Sequence, residues 1–295
     1  MTIKILSLSG GGPNGIITLG IIQKLEEKGY LNINEINKIY ATSVGAIVSV
    51  LLSLKFDWET INDYIIQRPW HETYKIKIED ILSSYTKKGI FDISSVETFY
   101  KPFFNARDLN ISITMKELYE YSNIELHFFS HELNNYNTID ISYKTFPDTP
   151  VTQCILMSCA IPILFTPVTL NNKCYIDGGC ECNYPIEFCL KENSDVNEIL
   201  GIYNISETSE KIISEESNIL EFIIFLFYKL ISKRVIKEQN INLIPNEIIY
   251  KTNPLTFSFM SEVLFSSENR KELIEKGISI ANDYLQNIKI TERNE

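Results

Sequence analysis

The sequence predicts an α/β fold with parallel strands, and three observations carry that reading. A strand, a tight turn and an apolar helix occur twice in the first 55 residues, in "ILSLSGGGPNGIITLG" and again in "NKIYATSVGAIVSVLLSLK". Parallel strands need a helical crossover, so a repeated strand–turn–helix unit is what such a sheet looks like in sequence. The third observation is bulk. A chain of 295 residues that is 44% hydrophobic suits one large domain, residues 1–295, with a substantial core.

The elements run in this order. Residues 3–9 read as a buried strand and 15–28 as a helix ending near Gly29. Residues 37–43 read as a second strand and 44–55 as a buried helix. The stretch 56–120 reads as mostly helical, with Trp58 and Trp70 giving it bulk and Lys87, Lys88 and Gly89 marking a loop. "IELHFFSHEL" (124–133) is a strand, and 137–145 is its hairpin partner across Asn134–Tyr136. "FPDTP" (146–150) turns the chain into a helix over 151–160, and Pro162 and Pro167 break the segment after it. "KCYIDGG" (173–179) is a strand entering a glycine turn, and 198–205 is another strand. Helices are expected over 218–237 and 268–286, with a strand pair near 241–251 between them. The chain shows no repeat, linker or low-complexity segment.

Charge excludes some classes of function. Net charge is −11, against the clustered Lys and Arg that a nucleic-acid binder needs. The same acidity opposes strong electrostatic attraction to anionic lipid, so peripheral contact with a membrane would be mainly apolar or local. The first residues are too short and too polar for a signal peptide, which points to a cytoplasmic, reducing setting. Cys154, Cys159, Cys174, Cys180, Cys182 and Cys189 then read as free thiols that fill space. Neither metal-ligand spacing among Cys and His nor a calcium-loop pattern is present, so no metal or cofactor is expected. The longest apolar run, 219–231, carries Glu221 and Lys229 and is too short to span a bilayer. It reads as a buried or amphipathic helix, with the rim of a lipid-binding groove as the second reading.

Two glycine-bordered turns carry the chemistry. Gly10, Gly12 and Gly15 spell G-x-G-x-x-G between a strand and a helix. Bared backbone N–H groups at a helix N-terminus serve a dinucleotide phosphate or an oxyanion equally well. The dinucleotide reading needs an acid closing the next strand, and Glu35 precedes that strand instead of ending it. The second strand instead runs into Ser43, in "ATSVG". This fits the nucleophile elbow G-x-S-x-G, with Gly45 in the last place and Ala41 in the first, where only a small residue clears the crowded turn.

A serine nucleophile needs a base. His71 sits in a helical region, while His127 and His131 share one face of a strand and read as polar residues of a half-exposed sheet. No histidine lies beyond residue 131, so the order Ser…Asp…His is absent. Asp177, opened to approach by Gly178 and Gly179, is the remaining candidate if partial burial raises its basicity. Taken alone, it reads better as a turn residue capping its own backbone.

In this order, "SGGGPNG", "ATSVG" and "DGG" resemble the patatin-like phospholipase family, whose members are lipid acyl hydrolases with a Ser–Asp dyad. "SCAIPILFTPV" (158–168), "DGGCECNYP" (177–185), "KGIFDISSVETFY" (88–100) and "ITMKELYE" (113–120) are also similar to family segments, and the likeness runs from about residue 3 to 190. The resemblance implies a three-layer α/β/α sandwich around a mostly parallel sheet. It implies Ser43 as nucleophile, Asp177 as base, Gly10, Gly11 and Gly12 as oxyanion donors, Gly15 as a close-packing position, and a lipid or phospholipid substrate. Two positions depart from the family. Ala41 replaces the elbow glycine, and Asn14 stands where a basic residue is common. A soluble esterase or thioesterase, a catalytically silent lipid-binding regulator and a nucleotide-binding oxidoreductase are the competing readings.

Overall fold

The computed structural model describes residues 2–193, 195–207, 213–219, 221–227, 229, 243–253 and 255–294. Its first half alternates as expected. Strand β1 (Ile5–Leu8) leads through a glycine loop into α1 (Gly15–Glu27), and β2 (Lys38–Thr42) leads directly into α2 (Val44–Ser53). Helices α3 (Trp58–Gln67), α4 (Trp70–Thr73) and α5 (Ile78–Lys87) come next. Short strand β3 (Gly89–Phe91) leads to α6 (Ile93–Ala106) and α7 (Met115–Ser122). Caps set several of these boundaries. Asp57 accepts from the Thr60 N–H at the start of α3, and Thr114 and Glu117 form a capping box at α7.

The second half supplies β4 (Glu125–Glu132), β5 (Asn137–Ile141), α8 (Val151–Cys159), β6 (Ile163–Phe165), β7 (Val168–Leu170), β8 (Lys173–Asp177) and α9 (Ile186–Glu192). Strands β9 (Ile199–Ser206) and β10 (Asn246–Thr252) and helices α10 (Phe257–Phe265) and α11 (Ser267–Asn294) complete it. Strands β10, β9, β1, β2 and β4 run parallel in that order, and β5, β8 and β7 add antiparallel pairings at the β4 side.

Side chains alternate across this sheet, as the two-residue period of a strand requires. Leu6, Leu8, Ile39, Ala41, Leu126 and Phe128 join the core with α1, α2, α6 and α8 on one face. Ile5, Tyr40, Phe129 and Ile199 pack with Ile186 and Cys189 of α9 on the other. Two covered faces make the three-layer sandwich, and they explain why the parallel strands are near-continuous apolar runs.

Several expectations change. The strand pair near 241–251 is, among the described residues, the single strand β10, which extends the sheet parallel to β9; residues 241–242 lie outside the described residues. Strand β4 is buried and not half-exposed, because β2, β5 and β8 pair with it and both faces are covered. Of the helix expected over 218–237, residues 219, 221–227 and 229 are described as helical; 220, 228 and 230–237 lie outside the described residues. Helix α11 runs past the expected 286 to Asn294.

Candidate active site

The register of β4 brings the two candidate residues together. Thr42, the last residue of β2, faces Phe129, and Asp177, the last residue of β8, faces Ser130. Strand β5 pairs with Phe128 through Glu132 and so occupies one edge of β4. That leaves β2 and β8 on the other edge, running toward each other and ending at consecutive residues. The two candidate side chains meet at this junction: the Ser43 hydroxyl donates to Asp177 Oδ2 at 2.6 Å.

Ser43 takes φ 54° and ψ −125°, a conformation that non-glycine residues rarely adopt and that the elbow motif calls for. Its N–H donates to Ser158 Oγ at 2.9 Å, and that hydroxyl donates on to the Phe129 carbonyl at 2.7 Å. Ser158 thus ties the strained turn to β4. Helix α2 begins at the next residue and aims its positive end at the Ser43 oxygen. Ala41 is fully buried behind the turn, and Gly15, at the start of α1, packs against Val44 so closely that a Cβ would lie 2.3 Å from its methyl group.

Asp177 is 3% exposed, and its Oδ1 accepts the Gly179 N–H at 2.7 Å. Burial pushes its carboxyl up to about 6, against the lowering effect of the hydrogen bonds from Ser43 and Gly179. A carboxylate at that value, holding a serine proton, meets the requirement of a general base near neutral pH. Gly178 lies directly over β4: a Cβ there would stand 2.1 Å from the Phe129 carbonyl oxygen.

The glycine loop faces the same pocket. The Gly10 N–H is engaged, donating to the Asn183 carbonyl at 3.0 Å, whereas the Gly11 and Gly12 N–H groups have no partner among the described residues. The expected three donors from Gly10, Gly11 and Gly12 therefore narrow to two in this conformation, because the chain after Asp177 folds back onto the loop. The pocket is lined by the polar residues Asn14, Asn183, Asn204 and Thr252 and by an apolar cluster of Ile161, Ile224, Phe227 and Leu255.

Several of these residues escaped the sequence reading. Asn204 and Thr252 come from the ends of β9 and β10, and no local pattern marks them. They form a chain in which Asn14 Nδ2 donates to Thr252 Oγ1 at 3.2 Å and Thr252 Oγ1 donates to Asn204 Oδ1 at 2.7 Å. With its oxygen occupied, Asn204 turns its amide nitrogen toward Gly11. Ile224 and Phe227 place part of the 219–231 run at the pocket wall.

The histidines lie elsewhere. His127 bonds Asp140 at 2.8 Å and Glu125 at 3.0 Å and stacks on Tyr40, His131 packs against Tyr136, and His71 stacks on Phe265. None lines the pocket. Among the described residues, Glu125, His127 and Glu192 are spaced as metal ligands could be, but Lys144 bonds Glu125 and Lys38 lies 3.6 Å from Glu192. Ammonium groups thus already neutralise that cluster. Cysteines 154, 159, 174, 180, 182 and 189 are free, and burial together with Asp177 holds the Cys159 thiol well above its ordinary value, as suits a packing residue. No described helix is long and apolar enough to cross a membrane.

The chain is similar to several known proteins. A probable lipid hydrolase, 463L of Invertebrate iridescent virus 6, is 28% identical over 208 residues, covering 70% of each chain. The triacylglycerol lipase ptl3 of Schizosaccharomyces pombe is 25% identical over 56% of this chain and 34% of its own. Among solved structures, VipD from Legionella pneumophila aligns over 93% of this chain and 67% of its own, with 16% identity and a TM-score of 0.49. The family model described as patatin-like phospholipase matches residues 6–190, which hold the glycine loop, Ser43 and Asp177. That match takes in more than half of the sequence, and the chain belongs to the patatin-like phospholipase family.

Proposed function

We propose that this chain hydrolyses fatty-acyl esters of lipids, in the manner of a phospholipase A, through a Ser43–Asp177 dyad. The observation that carries the reading is the 2.6 Å hydrogen bond from Ser43 to a buried carboxylate with a raised pKa, beside the bared Gly11 and Gly12 amides. Asp177 takes the hydroxyl proton as Ser43 attacks the ester carbonyl. The carbonyl oxygen, now negative, is received by the Gly11 and Gly12 N–H groups; such donors are each worth roughly 3–4 kcal/mol in related acyl transfer. Protonated Asp177 returns the proton to the departing alcohol, which leaves an acyl group on Ser43. Water, deprotonated by Asp177, then releases the fatty acid and restores the serine.

An amphiphilic substrate suits the pocket. Its apolar wall of Ile161, Ile224, Phe227 and Leu255 fits an acyl chain, and its asparagine and threonine wall fits the ester and glycerol oxygens. No Lys or Arg among the described residues lines it. Residues after 190 supply Asn204, Ile224, Thr252 and Leu255, which supports reading residues 1–295 as one catalytic domain.

Labelling with a fluorophosphonate probe tests the dyad. Labelling of the wild type, with none in Ser43→Ala and strong loss in Asp177→Asn, is the expected result. Equal labelling of the Ser43→Ala variant refutes the assignment.

A further inference from the structure

Helix α5 is amphipathic in the wrong sense for a helix packed on a core. Ile78, Ile81, Leu82 and Tyr85 fall at the i, i+3, i+4, i+7 spacing that places side chains on one helical face. That face points to solvent, with exposures of 74%, 55%, 72% and 92%. Asp80, Ser83 and Ser84 are the half-buried or inward residues of the same helix, and none of its residues is fully buried. In water alone this orientation is unfavourable, because burial of those four side chains would release apolar surface from solvent.

Charge around the face is also unlike the rest of the chain. Lys75 and Lys77 precede the helix and Lys87 and Lys88 end it, so residues 75–88 hold four lysines against the two acids Glu79 and Asp80, in a chain of net charge −11. An apolar stripe flanked by ammonium groups on long flexible stems matches a bilayer interface, where the stripe enters the acyl boundary and the lysines reach the phosphates. Tyr85 suits the same boundary, with a ring for the acyl side and a hydroxyl for the wet side.

Helix α5 connects to the pocket wall through a short series of contacts. Strand β3 comes immediately after α5 and pairs with β6, Gly89 opposite Ile163 and Phe91 opposite Phe165. Leu164 of β6 packs with Ile161 and Ile224, and those two residues line the pocket that holds Ser43. The helical segment carrying Ile224 exposes Ile219, Phe222 and Leu226 as well.

We infer that α5 is a bilayer-docking helix, which inserts Ile78, Ile81, Leu82 and Tyr85 into a lipid surface containing anionic head groups and presents the Ser43 pocket to that surface. The lipid-hydrolase reading gives this contact its purpose, but the contact is measurable without hydrolysis. Full-length protein carrying Ser43→Ala is sedimented with vesicles of phosphatidylcholine mixed with phosphatidylglycerol. It is compared with the same protein bearing Ile81→Ser and Leu82→Ser, or Ile78→Ser and Tyr85→Ser.

Binding by the intact helix, and a loss of tenfold or more in each double variant, is the expected result. With Ser43 restored, both double variants are expected to keep wild-type activity on a short soluble ester, which also shows that they fold. Failure of the intact protein to bind vesicles overturns the inference, as does binding that neither double variant weakens. Conversion of a dimer to a monomer by these substitutions, without a change in vesicle binding, assigns the face to a protein partner and also overturns it. If no ester is ever cleaved while vesicle binding still depends on α5, the docking helix stands and the hydrolase reading alone fails.

Discussion

Thr42 and Asp177 end two strands that approach each other along the same edge of β4, opposite the consecutive residues Phe129 and Ser130. The proposed base therefore reaches the proposed nucleophile by strand register, and it needs no long loop to bring it there. A site held by backbone pairing on rigid strands is positioned more precisely than one carried on loops. Substitutions that disturb this junction should be felt more strongly than their size suggests.

Asp177→Asn should separate activity from stability. Loss of the base is expected to lower turnover by about 10²–10⁴-fold. The wild-type carboxyl, pushed up to about 6 by burial, is costly to ionise in the folded state. Because its folded value lies above the unfolded one, this cost is full above pH 6 and absent below about pH 4. The asparagine variant should gain on the order of 3 kcal/mol at pH 8, since each pH unit between the folded and unfolded values is worth about 1.4 kcal/mol. Chemical denaturation at pH 8 and pH 4 checks both the gain and its disappearance.

The pH–rate profile should show a single acidic limb. Asp177 must be ionised to accept the Ser43 proton, so kcat/KM on a soluble ester should fall as pH drops through about 6. The fall should approach about tenfold per pH unit below that point. A profile flat down to about pH 4.5 would remove Asp177 as the base.

Ser158→Ala should loosen the elbow. It leaves the Ser43 N–H and the Phe129 carbonyl without their shared partner in a buried setting. A loss of about 1–3 kcal/mol in stability is expected, together with reduced kcat at nearly unchanged KM. Thermal unfolding and steady-state kinetics on the same sample measure the two effects.

Gly178→Ala should damage both fold and site. Its methyl group would lie 2.1 Å from the Phe129 carbonyl oxygen, which is backbone and cannot rotate away. The strand end must lift, at a cost of about 1–3 kcal/mol or more, and Asp177 moves with it. A lowered unfolding temperature with fluorophosphonate labelling reduced in the still-folded protein is the expected pair of results.

Thr252→Val tests the relay on the polar wall. The isosteric change removes the hydroxyl that accepts from Asn14 and donates to Asn204. Asn204 then loses the bond that orients its amide nitrogen toward Gly11. A fall of about tenfold in kcat/KM is expected, the equivalent of one hydrogen bond of about 1.4 kcal/mol. An unchanged value would show that Asn204 is not part of the working site.

By itself the sequence determined the α/β class, the first four elements and both glycine-bordered turns, while Ser43 and Asp177 were paired there only through the family resemblance. These are local signals: a run of strand formers, a tight turn and an apolar helix each depend on residues adjacent in the chain. Tertiary structure alone decided four further features. The register on β4 joined residues 134 positions apart, and the fold-back of Asn183 engaged the Gly10 N–H. Pairing on both edges buried β4 with its histidines, and the ends of β9 and β10 delivered Asn204 and Thr252 to the pocket. The apolar face of α5 was written in the sequence at helical spacing, yet nothing local reveals which side of a helix the rest of the fold will cover. Hydrogen-bond pairing and face burial are long-range events, so they appear only once the sheet is assembled.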